Sequence, residues 1–119
     1  DIEFDEGSCY LLFKSSLEKG MVFVSEGREI TGFILGLPFP CPLNQLKTMV
    51  SELAWWVEPE YRNTSAGVRL LQTLERAAKE HGATSLTMIC LENMEPDKIQ
   101  NIYERMGYRP TERAFVRNF

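Results

Sequence analysis

A cation followed by a run of small and polar residues opens a helix near the middle of this chain: Arg62-Asn63-Thr64-Ser65-Ala66-Gly67. The first turn of a helix leaves backbone N–H groups without partners, and the helix dipole favours negative charge there. With no bulky side chain in the way, a phosphate or pyrophosphate can rest on those groups, and Arg62 supplies a fixed cation at the mouth. The same residues suit an ordinary strand-to-helix turn with Thr64 or Ser65 as N-cap, and the loop alone favours that plainer reading. It is neither a Walker loop nor a Gly-x-Gly-x-x-Gly fingerprint.

The elements around the loop must position it. Ser51–Val57 is apolar and aromatic, as suits a buried strand, and extends back to Leu46. Glu58-Pro59-Glu60 stops it, because proline cannot donate to a ladder. Beyond the loop, Gly67, Leu70, Leu71, Leu74, Ala77 and Ala78 recur at helical spacing, and Gly82 is placed to end the helix in a left-handed cap. Ser85–Leu91 is a continuous apolar run that predicts a fully buried strand, parallel to Leu46–Val57 through a right-handed crossover. Pro96 opens a second helix with Ile99, Ile102, Tyr103 and Met106 as its buried stripe. Gly107 ends it, and Tyr108–Phe119 is expected to form a final strand or strand pair.

Upstream, Gly7–Lys19 reads as a short helix with Tyr10, Phe13 and Leu17 on one face and Gly20 as its stop. Met21–Val24 and Ile30–Leu37 are two strands joined over Glu26-Gly27. The prolines of Leu37-Pro38-Phe39-Pro40-Cys41-Pro42 predict a stiff loop. Asp1 is not a methionine, so a fragment, a processed product or a trimmed chain is expected.

Bulk properties narrow the function classes. The 119 residues suit one domain, and 44 % apolar with 25 % charged residues suits a globular protein. A net charge of −4 argues against a nucleic-acid binder, which needs a basic face. It mildly favours a cationic partner such as an amine. No apolar run is long enough to span a bilayer, and no signal peptide is visible. Cys9, Cys41 and Cys90 are scattered and odd in number, so neither a disulfide framework nor a zinc site is expected, and a reducing cytoplasm is the natural setting. Cys90 is expected to be inert core packing, and His81 a helix C-terminal cation.

Val57-Glu58-Pro59-Glu60-Tyr61-Arg62, the small-residue turn and then Leu70-Leu71 resemble the signature motif of the GNAT superfamily of acyl-CoA N-acyltransferases. Downstream, Ile102-Tyr103-Glu104-Arg105-Met106-Gly107-Tyr108 resembles that family's Leu-Tyr-Glu-x-x-Gly-Phe segment. The two cover residues 46–119. The first 45 residues match only in expected secondary structure. The resemblance implies a single GNAT domain over residues 1–119, an α/β fold with a mixed central sheet flanked by helices. Its order is α-β-β-β-α-β-α-β, lacking the family's usual first strand and helix. Either that strand precedes Asp1 or a neighbouring molecule covers the open edge, as in a homodimer.

The implied activity is transfer of an acetyl group from acetyl-CoA to a primary amine, with no metal. The alternative is an inactive module that binds coenzyme A or a protein partner. On the family's pattern the CoA pyrophosphate would lie on Asn63, Thr64, Ser65, Ala66, Gly67 and Val68, steadied by Arg62. Pantetheine would lie along the strand near Trp55, Trp56 and Val57, although either tryptophan also suits core packing. Glu52 would be the general base or water-positioning carboxylate. Five residues separate it from Val57, which puts the two on opposite faces of a regular strand, so a bulge is needed; without one, Glu58 or Glu92 is as good. Tyr103 would protonate the leaving thiolate, with Tyr108 its nearest rival and core packing the plainer role. The acceptor pocket would draw on residues 8–20 and 37–45. Two residues depart from the family's pattern: Ser65 replaces a loop glycine, and Pro96 replaces an asparagine.

Overall fold

The longest strand runs from Asn44 to Val57, and the rest of the sheet is laid beside it. The computed structural model describes residues 3–119. In chain order the elements are α1 (Glu6–Glu18), β1 (Val22–Glu26), β2 (Ile30–Cys41), β3 (Asn44–Val57), a 3-10 turn (Pro59–Tyr61), α2 (Ala66–Glu80), β4 (Ser85–Thr87) and α3 (Pro96–Arg105). They fall into two compact units, Asp5–Met88 and Ile89–Phe119 together with residues 3 and 4.

In the first unit the strand order is β1-β2-β3-β4. β1, β2 and β3 form an antiparallel meander, and β4 runs parallel to β3 after the α2 crossover. This is the mixed sheet the sequence predicts. Directly opposed residues share a face. Gly32, Ile34, Gly36 and Pro38 pair with Val57, Trp55, Glu52 and Val50. That face meets α2: a methyl on Gly36 would lie 2.8 Å from Leu74 Cδ1, and one on Gly67 3.4 Å from Trp55 Cζ2. The other face meets α1, where Phe13 stands edge-on to Phe33 at 5.6 Å. Leu70, Leu71, Leu74 and Ala78 of α2 are buried with Ile34, Leu35, Val50 and Val57.

Asp5 caps α1, its carboxylate accepting from the Ser8 N–H at 2.8 Å. The Ser8 hydroxyl donates to the same carboxylate, and these two bonds, the hydroxyl's first, hold the Asp5 carboxyl below its usual range. The buried face of α1 differs from the expected one. Tyr10 and Leu17 are exposed, whereas Ser16 is fully buried. A small residue there lets the helix lie close to the sheet, and the apolar residues scattered around α1 define no single stripe.

Residues 37–42 are not a loop. β2 continues through Pro38 and Pro40 to Cys41, and Pro42-Leu43 makes a two-residue turn into β3. The N–H of Gly36 points away from β3, donating to Met21 O at 2.9 Å. Positions 38 and 40 share that outward direction, past the end of β1 at Val22, so proline costs no ladder bond there.

β4 stops at Thr87, and residues 88–91 carry no strand. The ladder with β3 ends at Ser51↔Thr87, just before β3 bulges. A bulge bends and twists its strand and interrupts the regular ladder, and apolar composition alone does not carry pairing past that interruption. Ile89 and Leu91 are accordingly exposed.

In the second unit Pro96 begins α3, Tyr103 is buried, and Gly107 at φ +92° ends the helix as expected. The expected final strand is absent: residues 108–119 form neither helix nor strand. Pro110 removes a donor, and Phe115 and Val116 are adjacent, so no pairing could bury both on one face. Both are exposed.

Candidate active site

β3 carries the bulge that a shared face for Glu52 and Val57 requires. Leu35 pairs with Ala54, yet Gly36 pairs with Glu52, so Leu53 is an extra residue without a partner on β2. The count of side-chain alternation shifts by one, and Glu52 joins Trp55 and Val57 on the face covered by α2. Glu52 is 6 % exposed.

The same strand turns alternate backbone groups away from β2. Glu58 N–H donates to Thr31 O at 2.8 Å, which sets the phase of the antiparallel ladder. By alternation, Trp55 and Val57 turn their N–H and C=O groups away from β2, toward the side where β4 no longer pairs. The Val57 carbonyl is taken, accepting from Arg62 Nε at 2.8 Å. The N–H groups of Trp55 and Val57 line the edge beside it.

The loop beyond is built by its own hydrogen bonds. Tyr61 N–H donates to Glu58 O and Arg62 N–H to Pro59 O, closing the 3-10 turn. The Thr64 hydroxyl donates to Tyr61 O at 2.6 Å and accepts from Ala66 N–H at 3.2 Å. Ser65 occupies the N-cap position of α2, but its side chain caps nothing. The first helical bond is Arg69 N–H to Ser65 O. The N–H groups of Gly67 and Val68 therefore have no acceptor among the described residues. Ser65 has φ −76°, which any residue adopts, so serine needs no strain where the GNAT pattern has glycine.

Of the two tryptophans, Trp55 faces α2 across Gly67. Trp56 lies on the opposite face, 38 % exposed, with the Arg62 guanidinium carbon 4.4 Å from its ring centroid. Sequence reasoning missed this stack; an aromatic side chain beside the end of a strand, with an arginine just past the turn, was the signal available. The bulge at Leu53 had no residue-level signal beyond the parity conflict itself.

Tyr103 belongs to the second unit. It is 8 % exposed, and its hydroxyl donates to Ile89 O at 2.7 Å. The Tyr108 ring lies 5.7 Å away, tilted by 48°. Cys90 is not in a strand; its thiol donates to Pro96 O at 3.2 Å. Burial, then the charges of Glu92 and Asp97, push that thiol above its usual range, which disfavours the nucleophilic thiolate. Glu58 and Glu92 are both exposed.

A family model described as the acetyltransferase (GNAT) family matches residues 2–108. The chain belongs to the GNAT acetyltransferase family. The match takes in residues 2–45, where the motif resemblance rested on secondary structure alone. Solved structures share the GNAT fold with this chain. An acetyltransferase from Trypanosoma brucei superposes at TM-score 0.76 and 17 % identity, over 99 % of this chain and 82 % of that one. Glucosamine-6-phosphate N-acetyltransferase from Arabidopsis thaliana does so at TM-score 0.76 and 14 % identity, over 100 % and 82 %. AAC(6')-Iy, solved with the bisubstrate analogue CoA-S-monomethyl-acetylneamine, gives TM-score 0.76 at 15 % identity, over 97 % and 80 %. No curated protein matches the chain. Among the described residues of this GNAT chain, no group of three or more His, Cys, Asp or Glu could hold a metal ion. No helix there is long and apolar enough to cross a membrane.

Proposed function

We propose that this GNAT chain, acting as a single domain over residues 1–119, transfers an acetyl group from acetyl-CoA to a primary amine by direct attack on the thioester. The observation that carries the reading is the Leu53 bulge, which turns the buried Glu52 carboxylate to the side of Trp55 and Val57. The pyrophosphate would rest on the loop from Asn63 to Val68, where the Gly67 and Val68 N–H groups are open, with Arg62 as a cation beside it. Pantetheine would pair with the backbone edge at Trp55 and Val57, and an N–H there would polarise the thioester carbonyl.

The acceptor arrives as an ammonium ion of pKa about 10 and must lose a proton before it can attack. Glu52, directly or through a water, is the group for that task. Tyr103 would return a proton to the departing thiolate; for that its hydroxyl must leave the Ile89 carbonyl that it now serves. The acceptor is an amine-bearing small molecule or protein, in keeping with the family and with a net charge of −4. A cytoplasmic setting agrees with three free cysteines.

That same hydrogen bond favours a second reading, a module that binds coenzyme A without turnover, and Pro96, which lacks a side-chain amide, points the same way. Steady-state turnover of acetyl-CoA against a panel of primary amines separates the two. Release of CoA thiol that depends on an amine is expected; CoA binding without turnover against any amine would leave the binding module.

A further inference from the structure

Arg62 is held in one arrangement by two contacts. Its Nε donates to Val57 O at 2.8 Å, and its guanidinium lies over Trp56 with the carbon 4.4 Å from the ring centroid. Both partners belong to the last two residues of β3, so the side chain reaches back from the turn to the strand end. A guanidinium carries five N–H donors, and the bond to Val57 uses one. Arg62 forms no ion pair among the described residues, so no carboxylate there engages its other donors at ion-pair distance. A long flexible side chain has thus been reduced to a fixed cation with donors to spare, immediately before the loop whose Gly67 and Val68 N–H groups are open.

Trp56 is only partly packed. Its side chain stands on the sheet face opposite α2, and it is 38 % exposed on a strand where Val50 is fully enclosed. An indole face is the strongest of the aromatic platforms for a guanidinium, through cation–π attraction and stacking.

We propose that Trp56 is a positioning residue for the CoA diphosphate: it fixes Arg62 so that the spare guanidinium donors are ready for the anion bound at the Asn63–Val68 loop. Trp56 itself touches no part of the ligand. The proposal rests on the CoA reading above, and it divides the two tryptophans. Trp55 lies along the α2 side near the loop, whereas Trp56 acts through Arg62 alone. The preorganisation removes a cost that would otherwise be met on binding.

Three ligands test it by calorimetric or NMR titration: CoA, 3′-dephospho-CoA, which keeps the diphosphate, and pantetheine, which lacks it. Trp56→Ala should weaken CoA and 3′-dephospho-CoA alike by roughly 3- to 30-fold and leave pantetheine affinity unchanged. Trp56→Phe should restore part of the loss, and Trp56→Leu, apolar without a π face, should not. A melting curve accompanies each variant; should the alanine variant fail to fold, the contrast between Phe and Leu decides. Equal weakening of all three ligands would make Trp56 a structural prop and overturn the proposal. Weakening of CoA without 3′-dephospho-CoA would assign Arg62 to the 3′-phosphate, which also overturns it. If the wild-type protein binds CoA no better than pantetheine, the diphosphate site itself is wrong. If that preference exists but survives intact in Trp56→Ala, only the role of Trp56 fails.

Discussion

Glu52 and Gly36 are direct partners across the β2–β3 ladder, and a methyl on Gly36 would stand 2.8 Å from Leu74 Cδ1 and 3.2 Å from Val50 Cγ1. The absent side chain lets α2 lie close to the sheet beside the buried carboxylate. Gly36→Ala should therefore overpack this layer and cost about 1–3 kcal/mol, read as a lower denaturation midpoint with an unchanged denaturant slope. A wild-type midpoint would mean that Leu74 moves aside freely.

Glu52→Gln keeps the shape of the side chain and removes its ability to take a proton. A general base works only when ionised, so wild-type kcat/KM should fall as pH drops through the Glu52 pKa. The glutamine variant should lose that acidic limb together with about 100- to 10,000-fold in rate, at unchanged acetyl-CoA affinity. A variant that keeps the full pH–rate profile would remove Glu52 from the mechanism.

Tyr103→Phe removes one proton and leaves the ring. It also strips the Ile89 carbonyl of its 2.7 Å donor, so a stability loss of about 1 kcal/mol is expected in any case. A proton donor should in addition lose roughly 10- to 1000-fold in kcat with little change in acetyl-CoA binding. Loss of stability with kcat intact would make Tyr103 a packing residue.

Ala66→Glu places a carboxylate in the first turn of α2, where the helix dipole welcomes it and folding should not suffer. Against a bound diphosphate the same charge is repulsive, so CoA affinity should be abolished while the melting temperature holds. Arg62→Ala should raise the Kd for CoA less severely. Unchanged CoA binding in Ala66→Glu would sink the placement.

Cys90 gives a test of local electrostatics. A raised thiol pKa means less thiolate at a given pH, so alkylation of Cys90 near pH 8 should lag that of an unstructured cysteine peptide. The lag should shrink as pH rises and the thiol ionises, and removing the Glu92 charge should shorten it. Peptide mass spectrometry after timed iodoacetamide treatment reads each cysteine separately.

Features whose physics is local were legible in the chain. The α2 stripe of Leu70, Leu71, Leu74 and Ala78 follows from helical periodicity. The stops at Gly20, Gly82 and Gly107 follow from a positive φ that only glycine adopts cheaply. The motif residues from Val57 to Arg62, and those from Ile102 to Tyr108, were likewise enough to point to the family. Features that depend on a neighbour were not legible. Pro38 and Pro40 look like a loop until the ladder shows that their missing N–H groups face outward. The run from Met88 to Leu91 looks like a strand, yet the ladder with β3 ends at Thr87, just before the β3 bulge, and residues 108–119 lack the alternation that pairing needs. Sequence parity alone put Glu52 and Val57 on opposite faces; it took the pairing of β3 against β2, with Leu53 left over, to bring them together, because a bulge is a property of two strands and is written in neither one.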